Sequence, residues 1–522
     1  MTLMVTRREG AGGLAAALAL LPFPAHARAV FDVRDLGARG DGAQLDTDAI
    51  NAAIGAAARA GGGTVRLPKG RYLSFSIRLQ SRVTLLLEDG AVIEAADPAV
   101  HGGRYNDPEE GSDGLYQDFG HSHWHNSLIR GDGLEDVAII GPGLIHGKGL
   151  TRNGPGARWQ KQAGERPLSM RDMPQAEIDR LETDLTAMRG RGNKAIALKN
   201  CRRVRLQDFS LLKGGHFAIL ATGVTGLDIS GLKIDTERDG IDLDCVRDVR
   251  VTGCRVNTPN DDAIVVKSSF ALGRAVASEH VTIRDCTVSG YDLGTMLDGR
   301  RGRSQELAPD RDRVTGRIKL GTESHGGYRH VLIENCRCER SRGLAFELVD
   351  GGAMEDVTVR GVRLDEVTSA PLFLRLGDRR RGPEGTGIGA IRGVSISDIE
   401  ASGIDHRYPA IVAGLPGHRV ADIRLSRIHL RFLGGGTAQD AARVPEELAD
   451  AYPEPSMFGA LPAWGLWMRH ARGIAIDRLT METAGDARPA IVTDNVADIA
   501  VTATPLWARA VHRPAPTASK RP

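Results

Sequence analysis

Two acidic clusters set one repeat apart carry the chemistry this chain could do. The first reads Asp235-Thr-Glu-Arg-Asp239-Gly240-Ile241-Asp242-Leu-Asp244. The second reads Asn257-Thr-Pro-Asn260-Asp261-Asp262-Ala263-Ile264 and runs into Lys267-Ser268-Ser269. Asp239 and Asp262 are 23 residues apart, close to the 22-residue step between strand-like segments beginning at Leu227 and Val249. If that step is one turn of a solenoid, residues one coil apart stack at about 4.8 Å, and three carboxylates meet on one patch. Like charges that close raise at least one pKa, setting a protonated acid beside an ionised base. Glycoside hydrolysis uses such a pair. Asp-Gly and Asn-Asp are also ordinary turn residues, so spacing alone leaves a purely structural reading open.

The elements that must position these groups follow from a recurring pattern, apolar-x-apolar-x-x-apolar-x-apolar. It starts at Val204, Leu227, Val249, Val281, Val331, Val357, Val394, Ile423, Ile474 and, more weakly, Ile499. Each unit reads as a period-2 strand, a Gly, Asn or Asp turn and a second short strand. Steps of about 22–30 residues with some longer intervals mean repeats carrying inserted loops. A leucine-rich repeat would need more Leu and a fixed Asn. The pattern predicts an all-β fold, a single-stranded right-handed parallel β-helix, whose corners explain 64 glycines and whose narrow bore explains 4% aromatics. Cys254, Cys286 and Cys336 fall at the repeat position of Leu232, which predicts an interior ladder of thiols rather than disulfides.

Composition removes other classes. A net charge of +2 argues against a nucleic-acid binder, and 41% hydrophobic residues argue against disorder. No apolar run reaches the roughly 18–20 residues of a membrane span. No C-x-x-C pair suggests zinc, and no cofactor or metal is expected. The His121-Ser-His123-Trp-His125 cluster matches no strong metal motif.

Residues 1–27 read as an export signal: Arg7-Arg8, a small apolar stretch, then Ala25-His26-Ala27. The paired arginines resemble a twin-arginine signal, although a Sec signal with a basic start reads similarly. A periplasmic or extracellular location is expected. Residues 28–507 form the expected catalytic β-helix. Asp46-Thr47-Asp48 can N-cap a helix from Ala49 to Arg59 that closes the open end of the solenoid. Residues 151–192 (helix-prone around Gln175–Met188), 300–319 and 434–465 read as insertions, and 508–522 as a disordered tail.

The chain resembles glycoside hydrolase family 28, the polygalacturonase-like family of pectin degradation. Phe31-Asp-Val-Arg-Asp-Leu-Gly-Ala-Arg-Gly-Asp-Gly is similar to the pectin-lyase-like N-terminal segment. Gly141-Pro-Gly-Leu-Ile-His-Gly-Lys-Gly149 resembles the family's G-x-G-x-I-D-G-x-G coil, with His146 for Asp. Asp239-Gly-Ile-Asp242 matches the end of N-T-D-G-I-D, and Asn260-Asp261-Asp262 matches G-D-D with Asn for Gly. The resemblance covers roughly residues 30–505. It implies an inverting mechanism in which Asp261 is the general acid and Asp239 and Asp262 deprotonate water. Carboxyl separations of about 6.5–9.5 Å are then expected.

Departures from the family pattern bear on the substrate. The histidine of G-H-G-x-S-I-G-S is missing from its slot, where Thr315-Gly-Arg317-Ile-Lys319-Leu-Gly-Thr-Glu323 stands. The position of R-I-K reads Ala345-Phe346-Glu347, while Arg317-Ile-Lys319 has the letters one coil early. Candidate substrate-binding residues are Lys267, Arg317, Lys319, Glu323, Glu347, Arg375 and His216, with Asp298 and His325 as weaker supports. Seven basic residues between Arg300 and Lys319 could read uronate carboxylates or form a solvated loop. Trp124, Tyr452, Phe458 and Trp464 could stack on sugars or serve as core.

The resulting expectation is a monomeric hydrolase of uronic-acid-containing pectic polysaccharide, of galacturonan or rhamnogalacturonan type. Insertions that close one end of the cleft would favour exo-action. A polysaccharide lyase on the same fold and a non-catalytic carbohydrate-binding solenoid are the rival readings.

Overall fold

Each apolar-x-apolar run pairs with the run one coil away, parallel and in register. The computed structural model describes residues 29–109, 122–152, 174 and 188–514. The expected export signal and almost all of the helix-prone part of the 151–192 insertion lie outside the described residues.

Three columns of strands build the body. The first stacks Phe217–Thr222, Asp239–Asp244, Ile264–Ser268, Ile318–Ser324, Leu344–Leu348 and Leu372–Leu376. The second stacks Thr225–Ser230, Arg247–Thr252, Ser278–Arg284 and Tyr328–Glu334. The third stacks Lys233–Asp235, Arg255–Asn257, Thr287–Ser289 and Arg337–Ser341. From Ala353 onward the second and third columns merge into long strands, Ala353–Val367, Ala390–Ile404 and Val420–Phe432. This is a parallel β-helix. Cys254, Cys286 and Cys336 are buried in its core, and all six cysteines are free.

The columns differ in what covers them. Arg247–Thr252 buries Val249 and Val251 while Arg247 and Asp248 face solvent, the alternation of a sheet wet on one side. The first column is buried at every position of its six strands from Phe217 to Leu376. Its outer face is therefore covered. Part of the cover is the 434–465 insertion, whose Met457, Phe458 and Leu461 pack with Phe373, Ile411 and Trp467.

Three sequence expectations are corrected at the ends and edges. The capping helix runs Thr47–Arg59, two residues longer than expected, and buries Ile50, Ala53, Ile54 and Ala57 against the first coil. Asp46 precedes it without capping it, because its carboxylate accepts from the Arg39 and Gly40 N–H groups at 2.7 and 3.1 Å instead. Residues 508–514 are not a loose tail. Pro505–Arg509 forms a 3-10 turn and Val511–Arg513 pairs with Val492–Asp494, satisfying an edge that would otherwise lie open. The insertion expected to end at Lys319 ends before Ile318, where the next strand starts.

Candidate active site

Two glycines set the acidic patch. Gly240 leads from Asp239 into the strand and donates its N–H to the Asp262 carbonyl at 3.0 Å. A Cβ there would stand 2.4 Å from the Ala263 carbonyl oxygen and from a Val256 methyl, so only glycine lets these coils approach. Gly316, at φ +51°, donates to the Asp261 carbonyl at 3.1 Å and delivers Arg317 on the next coil. One oxygen from each of Asp239, Asp261 and Asp262 lies within 4.8 Å of the others. That is tighter than the separation expected for an inverting pair. The reason is local: Asp261 and Asp262 are neighbours in one turn, and Asp239 is a single strand spacing away.

Cations are distributed unevenly over the three carboxylates. Asp261 Oδ2 accepts from Arg238 Nη2 at 2.6 Å. Asp262 is pinned from both sides, by Arg317 Nε at 2.7 Å and Lys319 Nζ at 3.3 Å. Lys267 Nζ lies 2.9 Å from Asp242, 3.4 Å from Asp239 and 3.9 Å from Glu323. Lys319 also reaches Glu347 at 3.2 Å, and Arg317 makes a two-pronged bond to Glu454 at 2.6 and 3.0 Å. Positive side chains thus already stand against the acidic patch.

The protonation states follow. Burial, reinforced by the charge of Asp261, pushes Asp239 well above the usual carboxylate range. Burial also opposes the charge of Asp261, but Arg238 overcomes it and holds that carboxyl low. For Asp262 burial is outweighed by Arg317 and Lys319, which hold it far down. Asp239, raised, and Asp261, lowered, bring oxygens within 4.8 Å of each other, so Asp239 is the member of this pair that carries the proton. Burial raises Glu347 to about 7 against the pull of Lys319 and Arg317. The patch therefore combines a proton-bearing carboxyl with a fixed carboxylate, an acid and a base side by side.

Of the sequence candidates, Lys267, Arg317, Lys319, Glu323 and Glu347 are brought together with the three aspartates. Arg375 is not among them. It is buried under the 434–465 insertion and donates to the carbonyls of Gly414, Glu447 and Leu448 at 2.7–3.3 Å, a strap rather than a ligand. His216 lies one coil before Asp239, with Nδ1 2.7 Å from the Arg152 carbonyl, and Arg152 in turn pairs with Glu237. Asp298 pairs with Arg300 on the surface, and His325 Nε2 bonds the Arg381 carbonyl oxygen. Arg300, Arg301 and Arg303 are taken up by Asp298, Glu339 and Glu366, so only Arg317 and Lys319 of the basic run enter the site. Trp124, Phe458 and Trp464 are core, whereas Tyr452 stands over Lys319 and Arg379. His125 lies 3.5 Å from Glu109, and burial lowers the buried His123 to about 4.

Two functional contacts escaped the sequence reading. Arg238 sits 23 residues before Asp261, and the arithmetic that stacked Asp239 on Asp262 would have found it. Glu454 meets Arg317 across 137 residues, for which the chain offers no local signal beyond an acid between two prolines.

Residues 30–105 match the family described as rhamnogalacturonase A/epimerase, pectate lyase-like. The chain is 23% identical over 447 residues to a probable polygalacturonase of Vitis vinifera, covering 80% of this chain and 76% of that protein. An exopolygalacturonase of Thermotoga maritima superposes with a TM-score of 0.60 at 18% identity, over 87% of this chain and 92% of that one. A family 28 exopolygalacturonase of Yersinia enterocolitica gives 0.62 at 16% identity, over 90% and 78%. These two superpositions establish a common fold. The register of the coils and these likenesses agree: the chain is a distant homologue of a polygalacturonase, opens on a pectate lyase-like segment and shares the parallel β-helix fold of the two exopolygalacturonases.

Proposed function

We propose that the protein hydrolyses glycosidic bonds in pectic polysaccharide or its uronic-acid-containing oligosaccharides, by a single displacement that inverts the anomeric centre. The observation that carries this reading is the opposed electrostatics of three converging carboxylates, one holding a proton and one fixed as an anion. Asp261 is the most exposed of the three and is the group that meets the glycosidic oxygen. The proton passes from Asp239 to Asp261 and on to that oxygen as the C–O bond breaks. Asp239 and Asp262, then both anionic, orient a water and draw off its proton as its oxygen bonds the anomeric carbon. The proton returns to Asp239, and the starting state is restored.

The short carboxylate spacing also suits a covalent glycosyl-enzyme route with Asp262 as nucleophile. Against it, both Asp262 oxygens are engaged by cations and the residue is 4% exposed. Proton NMR of the first product decides between them, since inversion and retention give opposite anomers. Growth of ultraviolet absorbance from an unsaturated product would instead establish a lyase.

The covered outer face of the first column supports exo-action, as does the likeness in fold to two exopolygalacturonases. Release of monosaccharide alone from a defined pectic oligosaccharide is the expected result, and early mixed oligomers would refute it. A polymer met outside the cell also accords with the export signal read at residues 1–27.

A further inference from the structure

We propose that Glu454 is a built-in carboxylate that consumes the cations beside Asp262, so the sugar ring seated there carries no free carboxylate. This rests on the hydrolase reading for its substrate class. All three guanidinium nitrogens of Arg317 are engaged, Nε by Asp262 and Nη1 and Nη2 by Glu454 at 3.0 and 2.6 Å. Lys319 is divided between Asp262 and Glu347. Two cations thus face three internal carboxylates. Arg342 also lies 3.4 Å from Glu454 but is held two-pronged by Asp310 at 2.9 Å, and Lys267 is taken up by Asp242, Asp239 and Glu323. A uronate brought to this position would add a fourth carboxylate to a site whose positive charge is spent, and desolvating it there is unfavourable.

Glu454 is also built to stay. It is 4% exposed, stands between Pro453 and Pro455, and precedes the 3-10 turn Pro455–Phe458. Prolines on both sides restrict its backbone, and its N–H donates to the Tyr452 carbonyl at 3.0 Å. The insertion carrying it is strapped to the barrel by Arg375. A neutral or esterified pectic sugar fits this subsite, with hydroxyls or an ester carbonyl as the groups read.

The test compares an oligogalacturonide with its methyl ester, which differ in the charge of each carboxyl and by one methyl group on it. Binding of both is measured by calorimetry on Asp261→Asn protein, with and without Glu454→Gln. The expected result is tighter binding of the ester by the single variant, and an acid-to-ester affinity ratio moved about tenfold toward the acid by Glu454→Gln. Adding Arg317→Gln to that protein should abolish the gain. Equal or tighter binding of the free acid by the single variant overturns the proposal. So does a ratio that Glu454→Gln leaves unmoved, including binding of neither form by either protein. Hydrolysis by the unsubstituted protein is followed separately. A moving ratio without hydrolysis removes the catalytic reading and leaves the charge argument in place.

Discussion

Arg238 Nη2 lies 2.6 Å from Asp261 Oδ2, and the two side chains keep 19% and 25% of their surface exposed. This contact decides which member of the Asp239–Asp261 pair is anionic at rest. Arg238→Gln removes the charge that holds Asp261 low, so both protonation steps of the pair move to higher pH. The alkaline limb of kcat/KM, set by loss of the pair's proton, is expected to shift upward. A pH–rate profile checks it, and an unmoved limb would show that Arg238 does not govern the pair.

Asp261→Asn and Asp262→Asn should each lower kcat by about 10²–10⁴-fold. Their effects on folding should differ. Asp261→Asn leaves a partly exposed arginine and little else unpaired, so its Tm stays near that of the parent. Asp262→Asn takes one anionic partner from each of the buried Arg317 and Lys319, which keep Glu454 and Glu347, at a cost on the order of 3 kcal/mol. Since Asp262 is held below its unfolded pKa, its stabilising contribution is present above the ordinary carboxylate range. It is lost as pH falls through the lowered value. Thermal melts from pH 2 to 6 on parent and variant measure the difference.

Glu347 has the opposite sign. Burial raises it from an ordinary carboxylate value to about 7, so the folded state binds its proton more tightly than the unfolded chain. Its contribution is fully present below the unfolded value and falls as pH rises toward about 7, by about 3 kcal/mol at most. Glu347→Gln should flatten that decline between pH 5 and 7.5. Denaturant melts across this range would reject the assignment if the two proteins ran parallel.

Arg375→Leu should destabilise the fold without altering the pH profile of any residual activity. It leaves one buried and two part-buried carbonyls without this donor, a loss on the order of 3 kcal/mol. Proteolysis should then cut first near Glu447 and Leu448, which the guanidinium holds down.

Reducing agent should leave the melting temperature unchanged, because all six cysteines are free and buried. Within the ladder, Cys286→Val should cost less than Cys286→Ser, since the site rewards an apolar side chain over a hydroxyl. Differential scanning calorimetry of the two variants separates a thiol that packs from one that bonds.

Much of the site was legible because a solenoid converts sequence distance into spatial distance. The step from Leu227 to Val249 sets the coil, and a step one residue longer brings Asp239 onto Asp262 and Arg238 onto Asp261. Lys267, Glu323 and Glu347 could be placed by counting coils. Arg375 was misplaced because its register with Glu347 is right while its side chain meets an insertion, not the cleft. Counting says where a residue stands, not what covers it.

The sequence by itself determined the β-helix, its coil spacing, the thiol ladder and the convergence of the three aspartates. All of these are near-neighbour properties repeated along the chain. Only the tertiary structure decided how the charges are shared: that Arg238 holds Asp261, that Arg317 and Lys319 hold Asp262, and that Glu454 arrives from 137 residues away to occupy Arg317. Insertions obey no repeat, and a buried charge takes its state from whichever groups pack against it. The acid and the base are therefore distinguished by folding, although the residues that serve are marked in the chain.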